Sequence, residues 1–136
     1  MADPHEETGT SIRSEAQGHV ESAVEAYVAA VSAGDPAAVR EVFRPDAYMW
    51  GYLGTELVSA PIEAFCEVVA ADPDTGAWAP GYTHTIRSVE VSGDVAVAVL
   101  DESGYQGHDF TNHFSLVRED GRWRIAGKTF FRRDPH

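Results

Sequence analysis

The dipeptide Asp120-Gly121, set between the alternating runs "HDFTNHFSLVRE" and "RWRIAGKTFF", constrains this chain more than any other feature. A two-residue hairpin of type I′ needs positive φ at both central positions, which Asp-Gly supplies, and the flanking alternation is that of strands with one face buried. Two further strands precede it, "THTIRSVEVS" and "VAVAVLDES", separated by a Gly93-Asp94 turn and followed by a turn near Tyr105-Gln106. The second half of the chain therefore reads as an antiparallel meander.

The first half reads differently. Val20, Val24, Tyr27, Val28 and Val31 recur at helical spacing, which predicts an amphipathic helix from about Ser14 to Ala33, ended by Gly34. Asp35 and Pro36 suit the N-cap and first position of a second short helix, closed by Pro45. "AYMWGYLGTELV" suggests a short strand or hairpin around Leu53-Gly54, and "SAPIEAFCEVVAA" a third helix behind Ser59 and Pro61. Helices in front and strands behind give an α+β domain, with about three N-terminal helices packed on one face of a curved antiparallel sheet that encloses a pocket.

At 136 residues there is room for one such domain, expected over 14–133, preceded by a disordered acidic tail over 1–13. A net charge of -12 argues against nucleic acid or an anionic membrane as partner, because a phosphate binder needs a cationic surface. The basic residues toward the C-terminus, Arg118, Arg122, Arg124, Lys128, Arg132 and Arg133, read as solvated charges on outward faces. One cysteine, Cys66, excludes an intrachain disulfide and sits in an apolar helical pattern, and no apolar run approaches the roughly 20 residues of a membrane span. With no secretory leader pattern in "MADPHEETGT", a cytoplasmic protein is expected. No glycine-rich phosphate loop, cysteine pair or His-x-x-x-His spacing points to a cofactor or a metal, and none is expected.

From about Val20 to Phe131 the chain resembles the nuclear transport factor 2-like, SnoaL-like superfamily, which has a cone-shaped fold. The resemblance rests on the front helix, on "GDPAAVREVFRPDA", and above all on "FTNHFSLVREDGRWRIAGKTF". That closing segment is most similar to the lumazine-binding group, which tends to read Phe-Thr-Asp-Tyr, then Asp-Gly-x-Trp-x-Ile, then Lys. Here Asn112 stands where the group usually has aspartate and His113 where it has tyrosine. The resemblance implies either an isomerase, cyclase or dehydratase working without a cofactor, or a noncatalytic binding or scaffold protein, and a dimer formed through the outer sheet face.

Counting outward from Asp120-Gly121 pairs Leu116 with Ile125, Phe114 with Gly127, Asn112 with Thr129 and Phe110 with Phe131 on the helix-facing side, leaving His113 and Lys128 to point outward. A bulge before His113 would reverse that orientation. Extending the count through Tyr105-Gln106 sets Val95, Val97, Val99 and Asp101 on the same inner side, with Asp101 diagonal to Asn112. Ile86 and Val89 both look core-facing at odd spacing, so a bulge at Arg87-Ser88 is expected, which brings His84 opposite Asp101. The predicted site thus joins His84 and Asp101 as acid/base residues to Asn112, Thr129, Phe110 and Phe131 as ligand contacts. Asn112 would donate to a developing oxyanion. Tyr48, Trp50 and Tyr52 either line the mouth for a flat apolar or aromatic ligand or are ordinary core aromatics.

Overall fold

A computed structural model describes residues 4–71 and 81–133, with side chains from residue 15 onward. The order is α1 (Pro4–Ser32), α2 (Pro36–Val42), β1 (Phe43–Leu53), β2 (Glu56–Pro61), α3 (Ile62–Ala71), β3 (Thr83–Ser92), β4 (Val95–Tyr105), β5 (His108–Glu119) and β6 (Arg122–Arg132). The six strands form one sheet in the order β2-β1-β6-β5-β4-β3. All neighbours are antiparallel except β1 and β6, which run parallel because the chain reaches β6 only after the whole meander. The helices cover one face, so the expected α+β cone is the architecture found.

Local chemistry explains most element bounds. The stripe Val20, Val24, Tyr27, Val28 and Val31 is buried on α1, as its spacing requires. Asp35 caps α2, its carboxylate accepting from the Ala38 amide at 3.2 Å, with Pro36 in the first turn. Ile62, Phe65, Cys66 and Val69 form the buried stripe of α3. Burial raises the Cys66 thiol above its ordinary range, so it serves packing rather than reactivity. Three bounds differ from expectation. α1 begins at Pro4, running back into the segment read as a tail; α2 ends at Val42, before Pro45; and Ser59 and Pro61 belong to β2 instead of capping α3.

Three strand irregularities decide what faces the helices. In β3 the register shifts between Ile86 and Ser88, the bulge expected there, so Ile86 and Val89 both pack inward. The β4–β5 turn is Gln106-Gly107, φ 51° and 79°, one residue later than expected. A second shift between Glu102 and Tyr105 then leaves Ala98 opposite Phe114 and Leu100 opposite Asn112. Ala96, Ala98, Leu100 and Glu102 consequently face the core, and Val95 and Val97 are half exposed on the other side. In β6, Leu116 pairs with Ile125 but Ser115 pairs with Gly127, so Ala126 is an extra residue. Beyond it Phe114 meets Lys128 and Asn112 meets Phe130.

Candidate functional site

The two unexpected shifts reassign the pocket. Glu102 and Lys128 turn inward, while Asp101 and Thr129 turn outward. Between the sheet and helices α1 and α3 lies a cavity of about 200 Å³, whose lining includes Tyr27, Phe65, Glu102, Asn112, Lys128 and Phe130. Gly51 of β1 makes room for the wall, since a Cβ there would come within 2.5 Å of the Phe130 ring.

Polar groups in this cavity are buried and mutually bonded. Glu102 is 3% exposed; one carboxylate oxygen accepts from Asn112 Nδ2 at 2.7 Å and the other from the Tyr82 hydroxyl at 2.8 Å. Asn112 sits diagonally across the strands from Glu102, a separation its side chain spans. Burial, reinforced by the negative charge of Glu102, pushes the Tyr82 phenol well above its ordinary value, so Tyr82 remains a neutral donor. Tyr27 is raised for the same two reasons, in the same order.

Lys128 occupies the other end. Its Nζ donates to the Tyr27 hydroxyl at 3.0 Å and lies 3.7 Å from the centre of the Phe65 ring, with the Tyr27 and Phe130 rings each at 5.3 Å. Burial lowers the ammonium from its usual range to about 8, opposed by the charge of Glu102. Aromatic faces also favour the cation, but less than water would. The cavity therefore pairs a held carboxylate with an amine poised near neutrality, a combination suited to moving protons on a carbonyl compound.

The expected site is only partly brought together. Asn112 and Phe110 line the cavity as anticipated. His84 does face inward, but opposite Glu102, where its Nε2 is 2.9 Å from Glu25 of α1 and its ring stacks on Tyr82. Asp101 lies on the outer face, bound by Arg87 at 2.8 and 2.9 Å and by the Thr111 hydroxyl at 2.8 Å. Partial burial alone would raise its carboxyl, and these hydrogen bonds more than offset that and hold it below the usual value. Tyr48, Trp50, Thr129 and Phe131 are also outward, because Met49 and Gly51 take the inward positions of β1 and the Ala126 bulge inverts the end of β6.

Tyr48, Trp50, Thr129 and His113 do meet, along a larger trough of about 520 Å³ on the outer face. His113 points outward as expected while Lys128 does not: the inversion occurs on β6, not before His113. The inner cavity is the better site despite its smaller volume, because only there, among the described residues, are a carboxylate, an amide and an amine buried together. Glu102, Tyr27 and Tyr82 were not singled out from the sequence, and no regular alternation could have selected Glu102 over the adjacent Asp101. Among the described residues no group of three or more histidine, cysteine or acidic side chains is arranged to hold a metal.

Solved structures with this architecture define the class as nuclear transport factor 2-like. A nuclear transport factor 2-like protein of Silicibacter pomeroyi superposes with a TM-score of 0.78 at 28% identity, covering 88% of this chain and 98% of that one. One from Shewanella baltica gives 0.77 at 20% identity, covering 88% and 94%. A ketosteroid isomerase-like protein of Erwinia carotovora gives 0.66 at 20% identity, covering 88% and 97%. Within that class the chain belongs to the family described as "Putative lumazine-binding", whose pattern matches residues 15–131. A curated relative, Aldolase FrzH of Cladobotryum, is 26% identical over 104 residues, 76% of this chain and 81% of that protein.

Proposed function

We propose that this protein is a small-molecule enzyme of the SnoaL-like type, carrying out cofactor-independent acid/base chemistry on a mainly apolar, polyketide-like carbonyl compound. Isomerisation, cyclisation, dehydration or an aldol-type step all begin with removal of a proton beside a carbonyl. The observation that carries the reading is the buried carboxylate of Glu102, held by two neutral donors and facing a cavity whose far end holds Lys128. Glu102 would accept the proton, Asn112 and Tyr82 would fix its orientation, and Lys128 with Tyr27 would offset negative charge developing on the ligand. The aldolase name of the relative agrees with carbonyl chemistry of this kind. Phe65, Phe110 and Phe130 would form the apolar walls. His84 and Asp101 are each engaged elsewhere, by Glu25 and by Arg87 with Thr111, which moves the acid/base role to Glu102.

The test is exchange of α-protons in deuterium oxide, followed by NMR for a panel of cyclic and aryl ketones. Wild type should exchange at least one of them, Glu102→Gln should lose about 100-fold or more, and Asp101→Ala should stay within about threefold. Equal rates for Glu102→Gln and wild type would reject the assignment. Ligands that raise the melting temperature without exchange would favour the second reading, a noncatalytic binding protein, which the Asn112 substitution in the family motif supports.

We also propose a cytoplasmic homodimer through the outer sheet face. Trp50, Val95, Val97 and Phe131 are about half exposed there, an apolar surface that no described helix covers. No described helix is long and apolar enough to cross a membrane. Sedimentation should give twice the chain mass at micromolar concentration, and Val97→Asp with Trp50→Glu should give a folded monomer. A wild-type monomer would rule this out.

A further inference from the structure

We propose that Lys128 is a nucleophile, condensing through its ε-amine with an aldehyde or ketone ligand and holding it in the cavity as an iminium. This deepens the acid/base reading above and rests on it, naming the carbonyl as the recognised group. Of the ten lysine and arginine residues in the chain, Lys128 is the only lysine. Arginines serve the described surface ion pairs, among them Arg40 with Glu63, Arg87 with Asp101 and Arg118 with Asp94. The single lysine is instead placed where an ammonium is hard to keep charged, 6% exposed and against the face of Phe65. An arginine there would be permanently charged and a poor nucleophile, whereas a lysine in such a place can lose its proton.

The groups facing Nζ suit addition to a carbonyl. Its hydrogen-bond partner is the Tyr27 hydroxyl of α1, a neutral group, and Phe65 of α3 covers it; Glu102 of β4 lends its charge from a distance. With burial bringing the amine to about 8, a substantial share is neutral in mildly alkaline solution. The lone pair of neutral Nζ adds to the carbonyl carbon, and one N–H proton passes to the oxygen, giving a carbinolamine. A proton taken up from solvent and relayed through Tyr27 lets that oxygen leave as water, the nitrogen keeping its remaining hydrogen as the C=N⁺ bond forms. The iminium then draws the electron pair of a neighbouring C–H as Glu102 takes its proton, and later hydrolysis returns the free amine.

The absence of other lysines makes the experiment clean, since the N-terminal α-amine is the sole competing primary amine. Wild type is treated with benzaldehyde and sodium cyanoborohydride at pH 8, folded and in urea, and the adducts are located by peptide mass mapping. Lys128 in the folded protein should be alkylated at least about 10-fold faster than in the unfolded chain, and Lys128→Arg should carry the adduct on the α-amine alone. Protection of Lys128 in the folded protein, with alkylation only in urea, would overturn the proposal. If that protection accompanied Glu102-dependent exchange that survives in Lys128→Arg, the acid/base reading would stand without the covalent step. An adduct at Lys128 in a protein that exchanges no ketone would support the nucleophile and reject the acid/base reading.

Discussion

Replacing Lys128 by Met is expected to make the protein more stable, by about 2 kcal/mol at pH 7. An ammonium whose acidity is moved from 10.5 to about 8 by burial costs the fold about 3 kcal/mol in its charged form. Methionine fills a similar volume without that cost, but leaves the Tyr27 hydroxyl short of the partner it has at 3.0 Å, a loss of about 1 kcal/mol. A rise in melting temperature of roughly 5–10 °C would follow for a domain of this size. The dependence on pH has a definite sign. Between pH 8 and 10 the unfolded lysine keeps its proton while the folded one releases it, so unfolding takes up a proton and wild-type stability rises. Above about pH 10 the tyrosines oppose this, because Tyr27 and Tyr82 are held neutral in the fold and ionise on unfolding. The gap between Lys128→Met and wild type should therefore narrow from pH 8 to pH 10 in urea unfolding. A variant less stable than wild type at pH 7, or a gap independent of pH, would refute the burial cost.

Asn112→Ala should act in the opposite direction, costing about 2–4 kcal/mol. Asn112 is 1% exposed, and truncation would leave both a void and a buried Glu102 oxygen without its donor. Thr129→Ala, on the exposed outer face, should change stability by no more than about 0.5 kcal/mol. The contrast separates two registers, since partners across the strands would share their energetics. Chemical denaturation of both single variants decides it: comparable costs would contradict the pairing of Asn112 with Phe130.

What the sequence revealed depended on whether its residues discriminate between the two faces of a strand. Asp120-Gly121 dictated its turn, with φ of 52° and 75°, because few other dipeptides tolerate that geometry. The β3 bulge was legible because Ile86 and Val89 cannot both pack inward without it. In β4, by contrast, Val95, Val97 and Val99 alternate with Ala96, Ala98 and Leu100, so either phase buries an apolar set. The register shift between Glu102 and Tyr105 therefore left no mark in the pattern, and it exchanged Asp101 for its neighbour Glu102. β6 past Ile125 is equally indifferent: Lys128 with Phe130 and Thr129 with Phe131 are each one polar residue and one phenylalanine. Hydrophobic patterning located the cavity end of the sheet but could not choose its chemistry.

Ala126 has a further consequence for how relatives are compared. Upstream of it odd-numbered residues of β6 meet the helices, as Trp123 and Ile125 do; downstream the even-numbered ones do, as with Lys128 and Phe130. The strand changes parity within a single residue. A one-residue gap placed there in an alignment is therefore a change of reagent, exchanging an amine for a hydroxyl in the cavity, and residue identity beyond that point carries meaning only once the parity is known.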